Sequence, residues 1–397
     1  MNYFLEKIKN KKSKVLIIGL GYVGWPLLKT VHKKGFNVAG LDINKNLVNS
    51  YKKKNKKTEL YYNYNDINFE EIDILIIALP TPLKNKVPDL SYLKITMRLL
   101  YPKLKKNMLI VLESTSYPTT TDQVISSKLK KKFKIGKDFF VGYSPEREDP
   151  GNKNFNIKNI PKIVSGKTNS CKKLVKTFYS KICNEVVESS SIEIAEMAKL
   201  YENIFRVVNI SLSNETKEIC KKINIDFNEV LKLASTKPFG FMPFLPGPGA
   251  GGHCIPVDPF YFNWFLKKKK IASNFIETAG KINIKMPKKI FNQIKKVFHH
   301  NNITKKSNIL FLGLSYKKNI GDLRNSPSLE IFEYLIQESY NIQFNDNYVK
   351  KVKLKNKIFF SKNINSIKNY KVIILSTDHE YYKKVKFNNS NLIIDLR

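Results

Sequence analysis

One cysteine of this 397-residue chain sits where a nucleophile would, inside the run Gly247-Pro248-Gly249-Ala250-Gly251-Gly252-His253-Cys254-Ile255-Pro256-Val257-Asp258. Glycines crowd its N-terminal side, and a carboxylate follows four residues later. Such a setting suits covalent work, because closely spaced backbone N–H groups stabilise a thiolate and the oxyanion formed when it adds to a carbonyl. A single cysteine is more often a small buried hydrophobe, but glycine neighbours give Cys254 no core to fill. His253 is no partner for it, since adjacent residues on an extended segment point to opposite sides.

A second constellation is Gly19-Leu20-Gly21-Tyr22-Val23-Gly24. This GxGxxG spacing, placed after an apolar run, lets the backbone approach a pyrophosphate at a helix N-terminus. Asp42 follows 18 residues after Gly24, where a carboxylate accepts both ribose hydroxyls and repels a 2′-phosphate, which favours NAD over NADP. Lys45, close by, pulls the other way. The plain alternative is a tight turn with no ligand.

Three further apolar runs end in Pro80-Thr81-Pro82, Glu113-Ser114-Thr115 and Ser144-Pro145-Glu146. The carboxyl ends of parallel strands line the ligand crevice of an open sheet, so Thr81, Thr115 and Glu146 are expected to converge on a cofactor. Prolines that merely stop strands explain Pro80 and Pro145, but not three polar groups at one edge. Lys199 and Asn203 are spaced i,i+4 and Arg206 lies at i+7, so the three share a helix face. Taken alone, that face reads as a solvated one.

These groups need a scaffold. Between Ser13 and about Ser190, short apolar runs alternate with amphipathic stretches: Lys14–Gly19, Asn37–Leu41, Ile74–Leu79, Met108–Leu112, Phe139–Gly142 and Lys162–Ser165. That texture predicts a doubly wound parallel sheet. Ile192 to about Ile223 then reads as one long helix without Pro or Gly, a spine between domains. The Pro/Gly-dense stretch 237–259 predicts a functional loop. From Ser307 the runs Asn308–Leu312, Asn341–Phe344, Val372–Ser376 and Leu392–Ile394 announce a second, smaller α/β domain.

Composition narrows the function classes. Met1–Ser13 is lysine-rich without the apolar segment of a signal peptide, and no run reaches the roughly 18 apolar residues of a membrane span. A cytoplasmic protein is expected, with no membrane partner. Cysteines at 171, 183, 220 and 254 show neither a CxxC pair nor zinc-site spacing, so no metal is expected. Lys and Arg number 70 against 33 Asp and Glu, a net charge of +37, which raises a nucleic-acid reading. No basic stripe or RNA-binding aromatic motif localises that charge, so the reading is set aside. His299-His300 reads as solvated surface.

Taken in order, the motifs resemble those of the UDP-glucose/GDP-mannose dehydrogenase family, from Lys14 nearly to the end of the chain. The resemblance rests on residues 19–24, the strand ends at 80–83, 113–115 and 143–147, Lys199 with Asn203, the loop 237–261, and Gly313-Leu314-Ser315-Tyr316-Lys317 through Asp322-Leu323-Arg324. It implies an α/β fold of two Rossmann-like doubly wound parallel-sheet domains joined by a long central helix and a small helical domain. The divisions are 1–190 for NAD, 191–300 for the helical dimerisation domain with the cysteine loop, and 301–397 for the UDP-sugar. Thr236-Lys237-Pro238-Phe239-Gly240-Phe241-Met242-Pro243-Phe244 looks like the branch that oxidises UDP-N-acetylglucosamine or UDP-N-acetylgalactosamine in surface-polysaccharide synthesis. Trp25, Ala78 and Gly321 depart from residues usual in the family. The chain stops at Arg397 directly after its last apolar run, which implies that the family's terminal helix is missing or that another surface covers that strand.

The residue roles implied are these. NAD is held by Gly19, Gly21, Tyr22, Val23, Gly24, Asp42, Pro80, Thr81, Thr115 and Arg324. The UDP-sugar meets Glu146, Lys199, Asn203, Phe244, Gly251 and Lys317. Asp258 and Thr115 hold the water that takes the alcohol proton, Cys254 attacks the aldehyde, Lys199 and Asn203 stabilise the oxyanion, and Glu146 activates water against the thioester. The enzyme works as a homodimer and reduces two NAD per sugar. UDP-glucose 6-dehydrogenase is the neighbouring reading; a one-step 3-hydroxyacid dehydrogenase shares the glycine turn but needs neither Cys254 nor a third domain.

Overall fold

The computed structural model describes the chain except residues 56–57, 85–86, 150–151, 153, 254 and 388–390, so Cys254 lies outside the described residues. The chain divides into two compact units, Met1–Glu202 and Asn203–Arg397.

The first unit runs α1 (Asn2–Lys9), β1 (Lys14–Ile18), α2 (Gly24–Lys33), β2 (Asn37–Leu41), α3 (Lys45–Lys54), β3 (Glu59–Tyr61) and β4 (Ile72–Ile77). A small hairpin, β5 (Leu83–Lys84) and β6 (Val87–Pro88), precedes α4 (Ser91–Leu100), β7 (Met108–Leu112) and a short α5 (Ser127–Leu129). Then come β8 (Phe139–Tyr143), β9 (Lys162–Gly166), α6 (Asn169–Tyr179), β10 (Val186–Glu188) and the start of α7 (Ile192–Lys222). Eight strands form one sheet in the order β10-β9-β8-β7-β4-β1-β2-β3. Every residue of β4, β7 and β8 is buried, as expected of strands covered by helices on both faces. Phe4, Leu5 and Ile8 of α1 join that core with Phe140 and Phe178.

The parallel-sheet expectation needs one correction. From β8 to β3 the strands are parallel, but β9 pairs with β8 antiparallel. A parallel neighbour requires a crossover connection, normally a helix, and among the described residues between Tyr143 and Lys162 there is none. β10 then follows α6 and pairs parallel to β9.

The second unit takes the rest of α7, then α8 (Phe227–Ala234), α9 (Asp258–Lys268) and α10 (Asn274–His300). Residues 235–257 contain no helix or strand among those described, as their Pro and Gly content predicts. β11 (Ile309–Leu312), α11 (Pro327–Gln337), β12 (Ile342–Asn345), the hairpin β13 (Lys351–Leu354) and β14 (Lys357–Phe360), β15 (Val372–Leu375) and β16 (Leu392–Asp395) follow. The order β12-β11-β15-β16 is parallel throughout. Its core gathers Phe311, Phe332 and Phe344 with Phe291 and Phe298 of α10. Pro287 lies within α10 and cannot donate to the carbonyl of Asn283. That residue serves the glycine loop instead.

Candidate active site

In the first unit, β1 runs straight into the glycine turn. Gly19 adopts φ +92°, and a Cβ on Gly24 would stand 1.8 Å from the carbonyl oxygen of Gly19, so no other residue fits there. A Cβ on Gly21 would meet nothing within 4 Å among the described residues, which is the open cradle a pyrophosphate needs at the start of α2. Asp42, directly after β2, accepts the N–H of Leu20 at 2.8 Å and that of Asn44 at 2.9 Å. The first bond pins the turn, and an ionised carboxylate keeps lone pairs for ribose hydroxyls. Tyr22 is exposed beside this turn. Trp25 stacks flat on Tyr51, ring centroids 3.8 Å apart, joining α2 to α3.

The polar strand ends interlock. Thr81 donates to the carbonyl of Thr115 at 2.7 Å, and Ser114 donates to that of Leu79 at 2.7 Å, so the ends of β4 and β7 hold each other. Pro80 is exposed beside them. Beyond Thr115 the chain turns at Thr119, a β-branched residue at φ +80°, a strained conformation. Glu196 of α7 offsets that strain by accepting the N–H of Thr119 at 2.6 Å and both the N–H and the hydroxyl of Thr121 at 2.8 and 2.7 Å. Arg147 pairs with Glu202 of α7 at 2.7 Å. Thus α7, which carries Lys199, is tied to the segments that carry Thr115 and Glu146.

Glu146 is almost enclosed. Its Oε1 accepts the N–H groups of Arg147 and Glu148 at 2.7 and 2.6 Å, and its Oε2 meets the Lys162 ammonium at 3.2 Å. Burial alone would raise its pKa, but Lys162 and the two N–H groups outweigh it and hold the carboxyl below its ordinary value. Lys162 also meets Glu113 at 3.2 Å.

In the second unit, Asp258 opens α9, is buried, and accepts a hydrogen bond from the amide of Asn203. The glycine loop is sewn down on both sides. Gly247 donates to Asn214 at 2.8 Å, and Ala250 exchanges bonds with the side chain of Asn283 at 2.6 and 3.1 Å. Gly249 lies against the Asn283 carbonyl that Pro287 leaves free. A Cβ on Gly251 would press on Tyr316, Asn325 and Pro327 at 2.6 to 2.8 Å. Gly252 donates to the carbonyl of Arg324 at 3.0 Å. Phe244 packs edge-on against Phe205, and its carbonyl accepts the Ser213 hydroxyl at 2.6 Å. Lys317 is half-buried in the turn after β11, and Arg324 makes a forked pair with Asp322 at 2.6 to 3.1 Å. His253 is held below its ordinary pKa by burial and by Arg324.

Known proteins resemble this chain along most of its length. Models of the UDP-glucose/GDP-mannose dehydrogenase family match the chain in three stretches: the NAD binding domain at 13–183, the central domain at 193–285 and the UDP binding domain at 310–397. The chain belongs to that family. It is 37% identical to Protein CapL of Staphylococcus aureus over 96% of this chain and 93% of that protein. It is 35% identical to the UDP-N-acetyl-D-glucosamine 6-dehydrogenase of Pseudomonas aeruginosa, over 84% and 82% of the two chains. Among solved structures, a UDP-D-ManNAc dehydrogenase from Pyrococcus horikoshii matches with a TM-score of 0.86 at 27% identity, covering 97% of this chain and 95% of that one.

The dehydrogenase is therefore an oxidoreductase that uses NAD, and the Gly21 cradle with Asp42 fits the pyrophosphate and ribose of that cofactor. It also carries a UDP binding domain. Among the described residues no helix is long and apolar enough to cross a membrane, and no group of three or more metal-ligating side chains is found.

Of the residues singled out in sequence, the structure gathers Thr81 with Thr115, joins Asn203 to Asp258, and sets Gly251 beside the turn that carries Lys317. Lys199 and Asn203 are buried on α7, whereas Arg206 is exposed and leaves their company. Sequence reading missed Glu196, Lys162, Asn214 and Asn283, and gave Glu113 no role of its own although it stands in the strand-end motif 113–115. Of the four missed, only Lys162 left a trace, as a charge opening an apolar run.

Proposed function

We propose that this dehydrogenase oxidises the C6 alcohol of a UDP-N-acetylhexosamine, UDP-N-acetylglucosamine or UDP-N-acetylgalactosamine, to the uronate in two steps through a thioester on Cys254. The observation that carries the reading is the buried pair Asn203–Asp258: two groups that chemistry at Cys254 requires are hydrogen-bonded, one of them four residues beyond the cysteine. The sugar class is supported by the stretch 236–244 and by the N-acetylhexosamine names of the relatives.

Asp258 and Thr115 hold the water that takes the hydroxyl proton as C6 becomes an aldehyde. NAD, when bound, accepts the hydride lost from C6 in each of the two oxidations. The Cys254 sulfur forms a bond to the aldehyde carbon, and Lys199 and Asn203 donate to the resulting oxyanion. After the second oxidation the carbon is a thioester. Glu146 takes a proton from water, the new C–O bond forms, the C–S bond breaks, and thiol and carboxylate part. Lys317 and Arg324 serve phosphates, of the UDP-sugar and of the cofactor respectively. We propose the divisions 1–190, 191–300 and 301–397 for cofactor, dimerisation and UDP-sugar, and a cytoplasmic role in surface-polysaccharide precursor synthesis.

A homodimer accounts for Phe205, Leu212, Ile219 and Ile223, which stand 40 to 60% exposed along α7 at near-heptad spacing. Apolar stripes of that kind mark interaction surfaces.

The test sets wild type beside Cys254→Ser and Glu146→Gln with UDP-N-acetylglucosamine, UDP-N-acetylgalactosamine, UDP-N-acetylmannosamine, UDP-glucose and GDP-mannose. Two NADH per N-acetylhexosamine, no uronate from Cys254→Ser, and an adduct on Glu146→Gln by intact mass are expected. Wild-type uronate formation by Cys254→Ser defeats the mechanism, and preference for UDP-glucose defeats the substrate assignment.

A further inference from the structure

Five titratable groups of the first unit meet beneath the ends of β7, β8 and β9, and only Glu146 has a part in the chemistry proposed above. Lys162 opens β9 with its side chain 4% exposed. Its ammonium lies 3.2 Å from Oε1 of Glu113 and 3.2 Å from Oε2 of Glu146. Tyr179 of α6 donates to the same Glu113 oxygen, and Cys183 stands near the cluster with its thiol pushed up to about 11, chiefly by burial.

An unpaired ammonium does not survive such burial, because its desolvation costs several kcal/mol. Two carboxylates share this one, which leaves one negative charge in excess. The two are not equivalent. Glu146 has three donors, whereas Oε2 of Glu113 is buried with no hydrogen-bond partner among the described residues. Burial, and Glu146 beside it, raise the Glu113 carboxyl to about 7 against the pull of Lys162 and Tyr179. Glu113 is therefore the carboxyl that takes up a proton first as pH falls, and Glu146 the one that stays charged.

We propose that Lys162 is a positioning residue for thioester hydrolysis, its ammonium, held between Glu113 and Glu146, keeping the Glu146 carboxylate charged and oriented. The proposal rests on the reading of Glu146 as the group that activates water. Without the ammonium the buried Glu146 carboxyl would lose the charge that opposes its desolvation, and two neighbouring carboxylates could not both stay ionised. Glu113 has no route to substrate of its own, being 1% exposed.

The experiment follows decay of the thioester against pH, by acid quench and intact mass after a pulse of UDP-N-acetylglucosamine and NAD. In Lys162→Met the acid limb of the decay rate moves to higher pH by about one pH unit or more, whereas in Glu113→Gln it stays in place, because Glu113 is already neutral where Glu146 titrates. A purely structural role of Lys162 moves no limb. A Lys162→Met limb that stays put, or that moves to lower pH, overturns the proposal. Should Lys162→Met fail to fold, Lys162→Gln, which keeps a hydrogen-bond donor without the charge, decides in its place. Wild-type decay in Glu146→Gln overturns instead the assignment of Glu146, and is told apart because the Lys162 and Glu113 variants are not involved in it.

Discussion

Asp42 and Asp346 occupy the same place in the two larger sheets and do opposite things there. Each follows the strand beside the sheet's first, and each accepts the N–H of the residue after a positive-φ glycine, Leu20 at 2.8 Å and Leu314 at 2.9 Å. The second oxygen separates them. That of Asp42 takes one N–H, from Asn44, and the residue remains half-exposed. That of Asp346 takes two, from Tyr348 and Val349, and the residue is wholly buried. His379 seals it: its Nδ1 accepts the N–H of Asn319 at 2.8 Å, so Nε2 carries the proton and donates to Asp346 at 3.2 Å. Tyr348, Tyr381 and Tyr382 close round the imidazole. One turn leaves its carboxylate partly open to solvent, the other consumes it in holding the loop that carries Lys317.

That contrast is breakable. The largest effect is expected from His379→Ala, which strips a donor from a buried carboxylate and opens a cavity among three tyrosines, at a cost of about 3 kcal/mol or more. Thermal unfolding measures it. Asp42→Ala should instead lower the Tm far less and raise the KM for NAD about tenfold or more, as loss of hydrogen bonds to a charged group does. Equal losses of Tm in the two variants would mean that Asp42 is structural as well.

A smaller, pH-dependent effect sharpens the contrast with a third sealed carboxyl. Burial raises Glu196 to about 7, against the donors from Thr121 and Thr119. Its folded-state pKa lies above the unfolded value, so the stability it contributes is complete in acid and is lost as pH rises through about 7. Glu196→Gln has no such loss. Its Tm should therefore gain on that of wild type between pH 5 and pH 8, and a constant difference across that range would contradict the assignment.

Much of the scaffold was legible because covalent spacing and continuous apolar runs are local. β7 coincides with the run Met108–Leu112, and α7 ends one residue before the helical pattern does. β3, with only Leu60 buried, and the lysine-rich hairpin of β13 and β14 gave no such run. The reversal of β9 was invisible since direction is set by the connection rather than by the strand. For the site, the glycine turn and Asp42 declare themselves through their separation along the chain. The grouping of Lys162 and Glu113 with Glu146 does not, because strand order brings the three together. Glu196 lies 75 residues from Thr121, and nothing in either segment names the other.

Gly247 and Gly251 are the same letter four places apart, yet a side chain at 247 would meet nothing within 4 Å among the described residues, while one at 251 would collide with Tyr316, Asn325 and Pro327. Sequence drift is thus free at one and forbidden at the other. Among descendants of this chain, a glycine kept at 251 reports the fit between loop and neighbouring turn, and one kept at 247 would report a molecule that comes and goes.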